Sequence, residues 1–179
     1  YWFGRLFVEY LGSDKLVALY ILGGLAGGVA YLLVYNTIPF FMDRSGFSGM
    51  VGASAAVYAV VTATAILIPN YTFFLLFLGP VKIKYIAAFY IVLSFLGSVG
   101  ANAGGNIAHL GGALIGFIYI KQLQVGVNWG GWITATLAWF KDLLKPTPKV
   151  KVTYRKSEPK TKTGTKGPKT SQEEIDAIL

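Results

Sequence analysis

The chain has no cysteine among its 179 residues, which excludes disulfides and thiolate-ligated metals and leaves the redox compartment unread. It has a single histidine, His109, so any chemistry that needs an imidazole base has one candidate. Charge is scarce as well: 13% of residues are charged, against roughly 25% in ordinary soluble domains. Between Leu16 and Ile120 the long apolar stretches hold no acidic residue, and Asp43 lies in a loop between two of them. The chain opens at Tyr1 without an initiator methionine and without a signal peptide, and is expected to be a piece of a longer protein.

Apolar sequence fills the space that charge leaves. Hydrophobic residues make up 54% of the chain and the mean hydropathy is +0.56, which points to an all-α, polytopic transmembrane helix bundle in a lipid bilayer. The net charge of +8 could indicate nucleic acid, but its placement argues otherwise. Ten of the sixteen Lys and Arg residues lie from Lys141 onward, in a stretch rich in Pro, Lys and Thr. Such a tail is expected to be disordered and to favour anionic lipid, so no nucleic-acid partner is expected.

Along the chain, Tyr1 to Tyr10 reads as the end of a membrane helix and residues 11–15 as a polar turn. Leu16 to Tyr35 is long enough to span, and its Gly23-Gly24 and Gly27-Gly28 pairs allow a close helix neighbour. Asn36 to Val51, broken by Pro39, Asp43-Arg44 and several Ser-Gly steps, reads as a loop dipping back into the protein. Non-helical backbone at that depth needs protein or a water-filled cavity around it, and a cavity is what hydrolysis inside a membrane requires. A helix follows over Gly52 to Ile68, ended by Pro69-Asn70. Thr72 to Pro80 is too short to span and reads as an interfacial excursion before Lys82 and Lys84. Tyr85 to Leu96 is the next crossing, ending in the glycine-rich run 97–105, which reads as weakly ordered, a gate or a plain connector. Asn106 to Ile120 is the last crossing. Beyond it Trp129, Trp132 and Trp139 mark an interfacial helix with aromatic anchors.

The chemistry gathers where the loop turns into the helix at Gly52-Ala53-Ser54-Ala55-Ala56-Val57-Tyr58. A helix that opens on small residues leaves its first N–H groups unpaired and carries positive partial charge at that end. Gly52 and Ala53 would thus supply donors for a developing oxyanion, beside the hydroxyl of Ser54. His109 is the available base, and an intramembrane histidine is costly enough to be read as functional. Gly112 and Gly116 follow His109 on the same helix face, while Ser54, Tyr58, Thr62 and Ala65 share one stripe of the serine helix. If the glycine face meets that stripe, His109 reaches Ser54 and Tyr58 stacks on the imidazole. With no intramembrane carboxylate, the unit would be a Ser–His dyad. Helix packing for Ser54, and an ordinary hydrogen-bonded core position for His109, are the competing structural readings.

Charge placement supplies an independent check. With the basic tail cytoplasmic, counting crossings backwards puts Lys121, Lys82, Lys84, Lys15 and Arg5 inside and leaves Arg44 outside. Ser54 and His109 then both sit near the outer starts of inward-running helices, at similar depth.

The Gly52 to Tyr58 motif, paired with Ala108-His109-Leu110-Gly111-Gly112-Ala113-Leu114-Ile115-Gly116, resembles the rhomboid family of intramembrane serine proteases over roughly residues 1–124. The resemblance implies Ser54 as nucleophile, His109 as general base, Tyr58 supporting the histidine, and Gly112 and Gly116 as a close helix contact. It implies transmembrane protein substrates cut near their outer end, with entry beside the crossing that starts at Tyr85, and no cofactor or metal. The family's Gly-x-Ser-Gly has Ala55 in its last position here, and a literal copy, Gly46-Phe47-Ser48-Gly49, lies in the loop. The family core also has a first helix, a loop and a second helix whose His and Asn assist the oxyanion hole. These would precede Tyr1, so the chain is expected to hold the dyad and part of the site.

The expected organisation is a rhomboid-like transmembrane core over 1–124, truncated at its N-terminus, an interfacial helix over 125–145, and a basic cytoplasmic tail over 146–179 with the start of a short helix after Ser171. The expected residence is a cell (inner) membrane. Two alternatives carry different expectations. A non-catalytic rhomboid-like protein would bind membrane clients and typically lack the Ser or the His, both kept here. A transporter would line a path with further charged groups, which the crossings lack.

Overall fold

The computed structural model describes residues 1–43 and 52–144. Most of the loop after Asp43, including the Gly46–Gly49 copy of the serine motif, and the basic tail lie outside the described residues. Helix α1 spans Trp2–Leu11 and α2 spans Ser13–Thr37, and the expected polar turn between them shrinks to Gly12. Gly12 turns the chain at φ +85°, a conformation that residues with a Cβ avoid. A short α3 over Pro39–Met42 starts on proline, whose fixed φ suits a first helical position.

Helix α4 covers Ala53–Leu67, α5 covers Ile83–Gly97 and α6 covers Ala103–Gln124. Between α4 and α5 the expected excursion is a small antiparallel hairpin, β1 Thr72–Leu75 on β2 Gly79–Lys82, with Thr72 opposite Lys82 and Leu75 opposite Gly79. Its tip presents Leu76, Phe77 and Leu78 outward. The last element described is α7 over Gly131–Leu144, with Trp129 exposed before its start and Trp132 and Trp139 exposed along its length. Lys141 on α7 pairs with Asp14 at the start of α2 at 2.9 Å, an exposed pair that puts these two helix ends side by side.

The centre of the bundle is α2, α4 and α6. Their buried faces are made of small residues: Gly23 and Gly27 on α2, Ala55, Ala56, Ala59 and Ala63 on α4, Gly112, Ala113 and Gly116 on α6. In a bilayer, where lipid is as apolar as leucine, close backbone approach and dispersion hold helices together. A Cβ at Gly112 would run into the Ala55 carbonyl, and one at Gly116 into the Ala59 carbonyl. The glycine face therefore lies one residue beside the Ser54–Tyr58–Thr62–Ala65 stripe that the sequence pattern put against it. The reason is steric: only alanine is small enough to lie under a backbone-to-backbone contact, so Ser54 and Tyr58 are turned to its flank.

Large apolar side chains face outward instead. Leu25, Val29, Leu32 and Leu33 on α2 and Phe89, Val92, Phe95 and Leu96 on α5 are exposed, as they are when the surrounding solvent is hydrocarbon. Toward the end of the bundle that carries the α1–α2 turn, Phe7, Leu19, Tyr119 and Ile120 close the core around Ala59, Val60 and Ala63. Helix α5 contributes little to it, with Ile83, Ala87 and Ser94 its only buried residues.

The glycine-rich run 97–105, expected to be weakly ordered, is a tight hydrogen-bonded turn. Gly100 N–H donates to the Gly97 carbonyl at 3.0 Å, and Asn106 Nδ2 donates to the carbonyls of Gly97 at 2.9 Å and Asn102 at 3.0 Å. Gly104 and Gly105 are already inside α6 and buried. Burial overrides the poor helix propensity of glycine there, because a residue without a side chain is what the packing needs.

Candidate active site

Ser54 is the second residue of α4 and lies exposed at that helix's N-terminal end. Gly52, the turn residue before it, has no side chain to cap this end, and Ala53 is the first helical residue. The first intrahelical bond runs from the Ala56 N–H to the Gly52 carbonyl at 3.3 Å. The start of an α-helix, with its first amides and the positive end of its dipole, is an environment suited to negative charge.

His109 stands in the second turn of α6, half-buried. Its Nε2 is 2.9 Å from Ser54 Oγ, a direct hydrogen bond between residues 55 positions apart in sequence. The contact follows from the glycine packing described above: Gly112, one turn beyond His109, lets α6 lie on the Ala55 backbone, and this brings the imidazole level with the first turn of α4. Tyr58, one turn along α4 from Ser54, stacks on the histidine ring. Ser54, His109 and Tyr58 thus meet in one place, with Gly52 and Ala53 at the helix start and Gly112 and Gly116 in the helix contact beside it.

Ala55, which departs from the usual glycine, is fully buried with its methyl group turned to α2. A Cβ on Gly27 would collide with it, so Gly27 supplies the space that the alanine takes up. The departure is absorbed between α2 and α4 and leaves the Ser54 side of the helix untouched.

Two members of the site were not singled out from sequence. Ser94 of α5 is buried at 1% exposure, its Oγ 3.2 Å from His109 Nδ1, and it donates to Tyr58 Oη at 2.9 Å. Tyr58 Oη in turn donates to the Tyr90 carbonyl at 3.4 Å, and the Tyr58 and Tyr90 rings meet edge to face. The available signal was their spacing: Tyr90 and Ser94 are one turn apart on one face of an otherwise apolar stretch. Beside this network an apolar cavity of about 280 Å³ opens between α1, α4 and α5, lined by Phe3, Val57, Tyr58, Val61 and Tyr90. Among the described residues no group of three or more His, Cys, Asp or Glu side chains comes together as metal ligands would.

Comparison with known proteins agrees with this arrangement at the level of family. The family model described as Rhomboid domain matches residues 1–124. Among curated proteins, RHOMBOID-like protein 12, mitochondrial, from Arabidopsis thaliana is 32% identical over 136 residues, which covers 70% of this chain and 40% of that protein. No solved structure matches the chain.

Proposed function

The chain belongs to the rhomboid family, a membrane protein, and from this premise we propose that it is an intramembrane serine endopeptidase cutting transmembrane protein substrates near their outer membrane boundary. Ser54 is the nucleophile and His109 the general base. The observation that carries the reading is the 2.9 Å contact between Ser54 Oγ and His109 Nε2 at the N-terminal end of α4.

The chemistry runs in two halves. Ser54 Oγ bonds to the scissile carbonyl carbon while its proton passes to Nε2, and the negative charge on the carbonyl oxygen is held by the first amides of α4. The C–N bond then breaks as the proton moves from Nε2 to the leaving amine nitrogen, leaving an acyl group on Ser54. Water attacks this ester, giving its proton to Nε2, and the proton returns to Ser54 Oγ as the carboxyl product departs. A substrate helix would enter beside α5, where the apolar cavity between α1, α4 and α5 borders Tyr58.

Positive residues gather at the end that carries Lys15, Lys82, Lys84, Lys121 and Lys141, which supports a cytoplasmic C-terminus in a cell (inner) membrane. The relative's printed name places that protein in mitochondria, so cell fractionation is the check on residence. The activity is tested by treating the full-length protein in liposomes with a fluorophosphonate and mapping the adduct in wild type, Ser54→Ala and Ser48→Ala. Labelling lost only in Ser54→Ala is the expected result. No labelling of folded wild type would move the protein to a non-catalytic, client-binding role.

A further inference from the structure

Helix α5 buries one polar side chain, Ser94, at the end where Ser54 and His109 meet. A hydroxyl shielded to this degree has to be paired, and Ser94 is paired on both sides. The order of donors along the chain of contacts is set from its far end. The Tyr90 carbonyl can only accept, so Tyr58 donates to it. Tyr58 oxygen then accepts from Ser94, whose single proton is thereby used. Ser94 Oγ is consequently left to meet His109 Nδ1 as an acceptor, which calls for the ring proton on Nδ1. A neutral imidazole protonated at Nδ1 turns a bare Nε2 to Ser54.

We propose that Ser94 is a positioning residue that holds His109 in the Nδ1–H tautomer. It does for this dyad what a carboxylate does for a Ser–His–Asp triad, without placing a second charge in the membrane. The proposal rests on the reading of His109 as the base. It also ties the base to α5: Ser94 and the Tyr90 carbonyl both belong to that helix, so the tautomer is held only while α5 is seated against α4 and α6.

The test reads the ring directly. The full-length protein, labelled with ¹⁵N in histidine imidazole and reconstituted in nanodiscs, is studied at a pH where the ring is neutral, and the His109 signals are assigned by their loss in His109→Gln. Wild type is expected to carry the proton on Nδ1. Ser94→Ala, which removes one oxygen from a packed site, is expected to populate the Nε2–H form, and Ser94→Thr to restore the wild-type pattern. In cleavage assays Ser94→Ala should lower kcat on the order of 10²-fold, as small misplacements of a base do, with KM unchanged. An Nε2–H wild type, or an unaltered tautomer in Ser94→Ala, overturns the proposal. A tautomer that shifts as expected in a protein whose Ser54 takes up no fluorophosphonate supports the positioning role and refutes the protease reading instead.

Discussion

The imidazole of His109 lies parallel to the Tyr58 ring, with centroids 4.1 Å apart and planes 6° apart. A stack this flat leaves the histidine no freedom to rotate its nitrogens away from Ser54 on one side and Ser94 on the other. Tyr58 therefore acts twice, through its ring and through its hydroxyl. Tyr58→Phe keeps the ring and is expected to lower kcat/KM about 10-fold, whereas Tyr58→Ala, which frees the imidazole, should lower it on the order of 10²-fold. Equal activities for the two variants would show that the stack has no part in positioning.

Under the proposed mechanism Ser54→Ala and His109→Ala should each reduce cleavage by on the order of 10⁴-fold or more, because a nucleophile and its base work as one unit. Neither side chain is part of the close glycine–alanine contacts at the bundle centre, so thermal unfolding in detergent should shift little. Their double variant should be no less active than either single one.

Gly27 and Ala55 form a matched pair across α2 and α4. Gly27→Ala should destabilise the bundle by about 1–3 kcal/mol, the usual cost of forcing extra atoms into a packed core. Adding Ala55→Gly should recover part of this and no more, since a Cβ at position 27 also meets the Ala108 carbonyl. Unfolding of the two variants side by side measures the recovery, and none at all would mean that the methyl groups do not face each other.

At the hairpin tip, Leu76 and Phe77 are 90% and 94% exposed, and the hairpin runs on to two lysines, Lys82 and Lys84. Side chains of this kind settle at the boundary of headgroups and acyl chains. With the native tryptophans replaced by phenylalanine, Phe77→Trp should give blue-shifted emission quenched by lipids brominated near the headgroup. Emission typical of water would place the tip off the membrane.

Much of this molecule was legible in the chain itself, because a bilayer imposes few solutions on apolar stretches of this length. The helices over Ser13–Thr37 and Ala103–Gln124 follow from that rule, and the lone histidine narrowed the search for a base to one residue. The hairpin was not legible, since a short apolar run carries no period that separates strand from helix. Nor was the order of the glycine-rich turn, which depends on Asn106 reaching back to Gly97. Ser94 escaped notice because its role comes from a third helix: spacing within α5 marks a polar face and says nothing about what that face meets. The residues that Gly112 and Gly116 rest on, Ala55 and Ala59, were not legible, as stripes along a helix leave its rotation open by about 100° per residue.

The uneven burial of the helices has a mechanical side. Three helices meet at close glycine–alanine contacts in the centre of the bundle, while α5 is fastened at Ile83, Ala87 and Ser94. The assembly is a stiff frame with one compliant stave, and under lateral load from a neighbouring helix in the bilayer the stave yields first. Its fastening at Ser94 is a hydrogen bond to His109, so a displacement of the stave is felt at once by the imidazole.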